Sequence, residues 1–251
     1  MQSLSGIRNI LKRPFASSIS QTNPEEAYDI WASTYDSQPD NLMLALDEEL
    51  FSGLIENVSI KGKIIGDIGC GTGRHWRKLF THEPKTLIGY DVSEGMLATL
   101  KNKFPDADIS KLRNNQLVGL ANNSCDIIIS TLTIAHIENI KQAFAEWNRV
   151  LKLDGEIIIT DYHPELLSKG GNRTFKHDNQ LIAVKNNIYS LTEIKKIAAQ
   201  FGWKQISFIE KVIDENVKHY YAKQNALHLF NQFKGTPVIY GIHLKKINAS
   251  S

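Results

Sequence analysis

The chain has 251 residues, 42% of them hydrophobic and 22% charged, with a formal net charge of +2. That length and balance fit one large globular domain with or without an appendage, and exclude a low-complexity or strongly charged chain. Near-neutral charge without a Lys/Arg run argues against nucleic acid as partner, and no apolar run approaches the roughly 20 residues of a membrane span.

The first 23 residues carry Arg8, Lys12 and Arg13, several serines and no acid before Glu25. An exposed helical arm with a basic face is expected, in a cytoplasmic protein; a mitochondrial transit peptide is the alternative reading of the same composition. Residues 24–37, PEEAYDIWASTYDS, start with a helix-opening proline and set Ala27, Ile30, Trp31, Thr34 and Tyr35 at helical spacing. Residues 42–58 predict a second helix with Leu42, Leu46, Leu50, Leu54 and Val58 on one stripe.

The period then changes. KIIGDIG, TLIGYD, CDIIIST and GEIIITDY are short β-branched runs suited to strands buried on both faces, separated by helical patterns at 74–80, 93–104 and 139–151. Alternating strands and helices predict βαβ units, hence a doubly wound, mostly parallel α/β sheet. The segment 163–187 has weak periodicity and a Gly-Gly pair, which suits either a lid over a site or a surface insertion. A capped helix follows from Ser190 to Gly202, then the strands KQISFIEKV and PVIYGIHLKK with a helix near 216–233 between them. The expected division is a helical arm and cap over 1–60 and a catalytic domain over 61–251.

Between the first two strand runs lies DIGCGTG, with Gly69, Gly71 and Gly73 on alternate positions. No Lys-Ser/Thr pair follows, so this is not a P-loop. A dinucleotide fingerprint needs GxGxxG, and Arg74 stands where its last glycine would be. Asp67 precedes the loop; an acid there repels pyrophosphate but can accept a hydrogen bond from an ammonium group. Asp91, ending the next strand, is placed to hold ribose hydroxyls while also capping the helix from Ser93. Met96, one turn on, suits either the flat face of an adenine or the core. Cys70 and Cys125 are far apart, so no CxxC metal or redox pair exists, and no metal site is expected.

IIGDIGCGTG, LIGYDVSEGMLATLKNKF, LVGLANNSCDIIISTLTIAHI and NRVLKLDGEIIITDYHPE together resemble class I S-adenosylmethionine-dependent methyltransferases. The likeness is to the ubiquinone/menaquinone-biosynthesis-like (type 11) group of small-molecule enzymes. It spans residues 62–163, about two fifths of the chain, and extends in weaker form to YDIWASTYD. It implies a seven-stranded Rossmann-like sheet with an antiparallel C-terminal strand. It implies that Asp67, Gly69, Gly71 and Gly73 surround the methionine moiety of S-adenosyl-L-methionine and that Asp91 binds the ribose. Asn114 then stands where relatives often have an aspartate meeting the adenine amino group, Leu117 flanks the adenine, and Thr131 falls on the methionine side. Tyr35 matches an aromatic that closes over the cofactor.

A sulfonium is an activated methyl donor, so alignment and water exclusion are the main demands, with a base where the acceptor must lose a proton. His136 in STLTIAHIEN and His163 in TDYHPE follow strand ends on the expected ligand side, and the resemblance implies a histidine at His136. Asp161, Tyr162, Trp31 and His177 are weaker candidates for orienting groups or lining the acceptor pocket. Ser130-Thr131-Leu132-Thr133 is not the motif that holds a flipped base, which leaves a small-molecule acceptor.

The reading is methyl transfer from S-adenosylmethionine to a small molecule, O- or C-methylation favoured over N, by a monomer or homodimer. A catalytically silent cofactor-binding regulator and an NAD-dependent enzyme are the alternatives. Acceptor choice is assigned to Tyr28–Tyr35, residues 163–187 and the C-terminal part, where no motif names a substrate.

Overall fold

A computed structural model describes residues 21–178 and 180–247. The basic N-terminal arm of the sequence reading lies outside these residues. After a two-residue strand β1 (Gln21–Thr22), helix α1 (Pro24–Trp31) starts with Pro24 and with Asn23 as its cap, the Asn23 side chain accepting from Glu26 N at 3.0 Å. The helix expected over 24–37 ends at Trp31 and continues only as a tight turn, Ala32–Thr34. Asn41 caps α2 (Leu42–Ile55), the second predicted helix.

The alternating region folds as β2 (Ile64–Ile68), α3 (Trp76–Thr81), β3 (Thr86–Asp91), α4 (Glu94–Lys103), β4 (Asp108–Lys111), β5 (Cys125–Thr131), α5 (Ile140–Val150) and β6 (Leu151–Tyr162). Strand β4 was not among the predicted runs, because it is four residues long and edges the sheet with charged ends. The weakly periodic 163–187 segment forms α6 (Pro164–Ser168) and a hairpin, β7 (Thr174–His177) with β8 (Gln180–Val184). Strand β1 adds to β8 in parallel, making a separate three-stranded sheet.

Then follow α7 (Leu191–Gln200), β9 (Trp203–Val212), α8 (Lys218–Lys223), α9 (Leu227–Phe233) and β10 (Pro237–Lys246). The single helix expected near 216–233 is two. Asn225 sits at φ +53° and Ala226 N donates back to Tyr221 O at 2.8 Å, a helix stop that asparagine makes without glycine.

The main sheet has the order β4-β3-β2-β5-β6-β10-β9, parallel except for β10, which runs against both neighbours. This is the mostly parallel, doubly wound sheet with an antiparallel C-terminal strand that the sequence predicted. In the central strands successive isoleucines serve both faces. Ile128, Ile157 and Ile159 pack with Phe144 and Trp147 under α5 and α7, while Ile127, Ile129 and Ile158 pack with Phe51, Leu54 and Trp76 under α2, α3 and α4. Helix α2 lies so close to β10 that a Cβ on Gly241 would be 2.8 Å from Leu54 Cδ1. Strand order reverses between β2 and β5, so the crevice expected of such a sheet opens beyond the carboxyl ends of β2, β3 and β5.

Candidate active site

A cavity of about 720 Å³ occupies that crevice, within the range of about 300–1,000 Å³ usual for small-molecule and cofactor sites. Its floor is the loop after β2 and the ends of β3 and β5, with Gly69, Gly71, Asp91 and Thr131 in its wall. Asn23, Tyr28 and Tyr35 close it from the α1 side, and Met96, Leu112 and Asn114 from the β3–β4 side. Glu25, Asp91 and Glu138 are its acidic lining, and no lysine or arginine is among the described residues lining it.

Gly69 is held at φ +73° with its N–H donating to Tyr90 O at 2.7 Å. A Cβ there would lie 2.1 Å from Thr133 Oγ1, so the first glycine is required by the loop after β5 crossing directly over it. Gly71, at φ +52°, has open space where a Cβ would stand, and its N–H donates to Asp91 Oδ2 at 2.8 Å. Asp91 Oδ1 accepts from Ser93 N at 2.9 Å, as the cap reading of the sequence expected. A carboxylate has about four acceptor sites, so Asp91 keeps capacity for further donors. Burial pushes its pKa up to about 6 against the three backbone N–H donors that lower it.

Asp67 lies one layer deeper. Its Oδ2 accepts from the Trp76 indole at 2.7 Å, and burial lifts its pKa to about 6. It lines a side cavity of about 30 Å³ that shares Tyr35, Gly69, Gly71 and Thr131 with the large one. Gly73 reaches neither cavity and packs on Leu100 and Trp76. The helix expected from residue 74 starts only at Trp76, because Arg74 and His75 are turned toward α2. There they meet the buried carboxylate of Asp47, His75 at 2.9 Å and Arg74 in direct contact, with Thr160 as a further donor. Asp47 is fully buried, and although burial alone would raise its pKa, the Arg74 charge and the His75 and Thr160 hydrogen bonds hold it well below the usual carboxylate range. The arginine that broke the dinucleotide pattern is thus an ion-pair partner fastening the glycine loop to α2.

Of the other predicted residues, Asn114 lines the cavity at φ +51°, a conformation asparagine tolerates. Leu117 does not reach it; it is buried in the main core, with its N–H on Glu146. His136 lines the cavity, its Nδ1 3.1 Å from Lys185 O and its Nε2 2.9 Å from Tyr28 Oη, with Arg173 in direct contact. Donation from Nδ1–H to the carbonyl leaves Nε2 as the acceptor. Burial and the Arg173 charge hold its pKa well below the ordinary value, so the imidazole is neutral. His163 is elsewhere: it caps α6, accepting from Glu165 N at 3.2 Å, and stands apart from the cavity. His177 is exposed beside Asp178 at the hairpin tip, also away from the cavity.

Sequence reasoning missed Asp47, and reached Arg173 and Tyr28 only as parts of the 163–187 and Tyr28–Tyr35 stretches assigned to acceptor choice. Arg173 comes from the 163–187 segment and is 3% exposed, paired with Asp161 at 2.5 Å and stacked on Tyr162 at 4.3 Å. Leu132, at φ +53°, is a strained residue whose carbonyl accepts from Arg173. Trp31 and Tyr162 line a small inner cavity behind this point, with Tyr28 and Tyr35 between it and the large one. Among the described residues no group of three His, Cys, Asp or Glu is arranged to hold a metal ion, and no helix is long and apolar enough to cross a membrane.

Residues 66–159 match the family model described as a methyltransferase domain. A bifunctional biotin-biosynthesis protein of Teredinibacter turnerae is 28% identical over 185 residues, which cover 69% of this chain and 31% of that protein. A ubiquinone/menaquinone-biosynthesis C-methyltransferase of Campylobacter jejuni is 32% identical over 113 residues, 43% of this chain and 47% of that one. The chain thus spans less than half the length of either curated relative. An S-adenosylmethionine-dependent methyltransferase of Mesorhizobium loti superposes with a TM-score of 0.61 at 16% identity, over 79% of this chain and 96% of that one.

Proposed function

We propose, for a chain that belongs to the class I S-adenosylmethionine-dependent methyltransferases, methyl transfer to a small-molecule acceptor in the cavity over Gly69, Gly71 and Asp91. The observation that carries this is Asp91, a buried carboxylate at the end of β3 with acceptor capacity to spare, facing an acid-lined cavity of cofactor size. Bound S-adenosylmethionine supplies an activated methyl group. The residues present fit it: Asp91 for the ribose hydroxyls, open space at Gly71 where a side chain would intrude, and Asn114 with Met96 for the adenine. Asp67, Gly69 and Thr131 are assigned to the amino-acid end, with Tyr35 closing over it; Asp67 acts from the connected side cavity.

The remaining work belongs to the chain. Helix α1 and the loop after β5 wall the cavity, so bound ligands that displace its water strengthen the charge interactions inside it. His136, neutral and fixed through Nδ1, is the assigned base. The Tyr28 hydroxyl lines the cavity beside it, 2.9 Å from Nε2, so a proton leaving the acceptor passes toward the Tyr28–His136 pair. That need for a base is why O- or C-methylation is favoured over N, and the Campylobacter relative is itself named a C-methyltransferase. His163, placed outside the cavity, is given no role.

Protein incubated with methyl-tritiated S-adenosylmethionine and the small-molecule extract of cells tests the reading. Label should pass into a low-molecular-mass product; label appearing only in macromolecules, or nowhere, contradicts it. His136→Ala should lower turnover by about 100-fold or more, the usual worth of a general base, with S-adenosylhomocysteine affinity nearly unchanged. Because the His136 pKa is lowered, the wild-type rate should show no histidine limb near pH 6.5.

A further inference from the structure

Arg173 has a donor that neither the fold nor the cofactor reading uses. Its Nη2 donates to Asp161 Oδ1, and its Nη1 faces Tyr28 Oη at 3.1 Å, the Leu132 carbonyl and His136 Nε2. The Nε–H is buried and has no partner. A buried donor left unmade costs its full desolvation, and on a charged group that cost is larger still. Arg173 lines the inner cavity, about 20 Å³, whose Tyr28, Tyr35 and Leu132 walls are shared with the large cavity. That volume admits one water-sized group, such as a single oxygen.

Charge sharpens the choice of occupant. Asp161 is the one carboxylate paired with Arg173 among the described residues, and its oxygens already accept from Ala135 N at 2.6 Å and Tyr162 N at 2.7 Å. A cationic sulfonium in the large cavity would add a second positive charge across the Tyr28–Tyr35–Leu132 wall. In a desolvated site two such charges repel, whereas an anionic oxygen between them is drawn to both.

We propose that Arg173 anchors a carboxylate on the methyl acceptor, one of its oxygens seated in the inner cavity against Nε–H. The acceptor class is a small carboxylic acid whose body lies in the large cavity, beside the Tyr28 and Tyr35 walls that the two cavities share. Nε–H is a donor held in a fixed direction by the planar guanidinium, which a lysine ammonium cannot copy. This specificity rests on the methyltransferase reading and narrows its substrate.

Calorimetric titration of S-adenosylhomocysteine-saturated protein with acetate, benzoate and phenylacetate, against acetamide, benzamide and phenylacetamide, tests it. At least one acid should bind tenfold or more tightly than its amide. Arg173→Lys should weaken that acid tenfold or more while S-adenosylhomocysteine affinity stays within about threefold. The double variant Arg173→Met/Asp161→Asn, which removes both buried charges together and so protects the fold, should show the same loss. Binding of no acid, equal binding of acid and amide, or undiminished acid binding by the variants overturns the inference. Protein that fails to bind S-adenosylhomocysteine contradicts the methyltransferase reading instead, so the two failures are distinct.

Discussion

Asp91 does two jobs with one carboxylate. It pins the glycine loop through Gly71 N and caps α4 through Ser93 N, which fixes its oxygens at the cavity wall. Asp67 and Asp91 both have pKa values pushed up to about 6 by burial, above the ordinary value of 3.8. The sign follows directly: stability from these groups is present below about pH 4 and is lost as pH rises through 6, where the empty protein must ionise them. A ligand that offers hydroxyls and an ammonium group favours the ionised forms. S-adenosylhomocysteine should therefore bind more weakly below pH 6, by up to about tenfold per pH unit for each carboxylate that must ionise. Titrations from pH 5 to 8 check this, and a flat affinity profile contradicts it. Asp91→Asn should weaken S-adenosylhomocysteine by about 10- to 100-fold, the worth of a hydrogen bond to a charged group, and reduce the pH slope. Thermal unfolding shows whether the variant remains folded.

Helix α2 joins the glycine loop to the far side of the sheet. One end of that link is the buried Asp47 with Arg74, His75 and Thr160; the other is Leu54 against Gly241. Asp47→Ala leaves Arg74 and His75 without their shared acceptor, and should cost about 3–5 kcal/mol of folding stability. Gly241→Ala forces a methyl against Leu54 and should cost about 1–3 kcal/mol. Urea unfolding measures both, and midpoints equal to the wild type would show that α2 is not held in this way.

The element scale also shows what a sequence can and cannot carry. Strands β2, β3, β5 and β6 were legible because they are buried on both faces and so read as unbroken β-branched runs. Strand β4 was not, since four edge residues need no such run. The hairpin of β7 and β8 was not either. Its strands are four and five residues long and meet at the polar His177 and Gln180, so their alternation never exceeds the background of a loop.

Across the whole molecule, the predicted cofactor residues fall into two groups. Tyr35, Gly69, Gly71, Asp91, Met96, Asn114 and Thr131 meet at one cavity, because the motifs that suggested them are local to strand ends. Leu117 and Gly73 do not, since packing explains them, and Asp67 lines only the side cavity; His163, a catalytic candidate, caps α6 outside the cavity. The site's least legible part is the Arg173 cluster. Its members Tyr28, Leu132, His136 and Asp161 come from three other segments, and Tyr28 lies 145 positions away in the chain. A lone arginine in a weakly periodic stretch carries no local sign that it is buried; only its distant partners make burial possible.

The crevice is proposed to take S-adenosylmethionine and not a dinucleotide. The cavity's acids, the lack of a lining lysine or arginine among the described residues, and the Gly71 N–H already given to Asp91 all oppose a pyrophosphate. Calorimetric titration of the protein with S-adenosylhomocysteine and, separately, with NAD measures this directly. Saturable one-site binding of S-adenosylhomocysteine with no detectable heat from NAD is the predicted result. Tight NAD binding without S-adenosylhomocysteine binding would contradict the account.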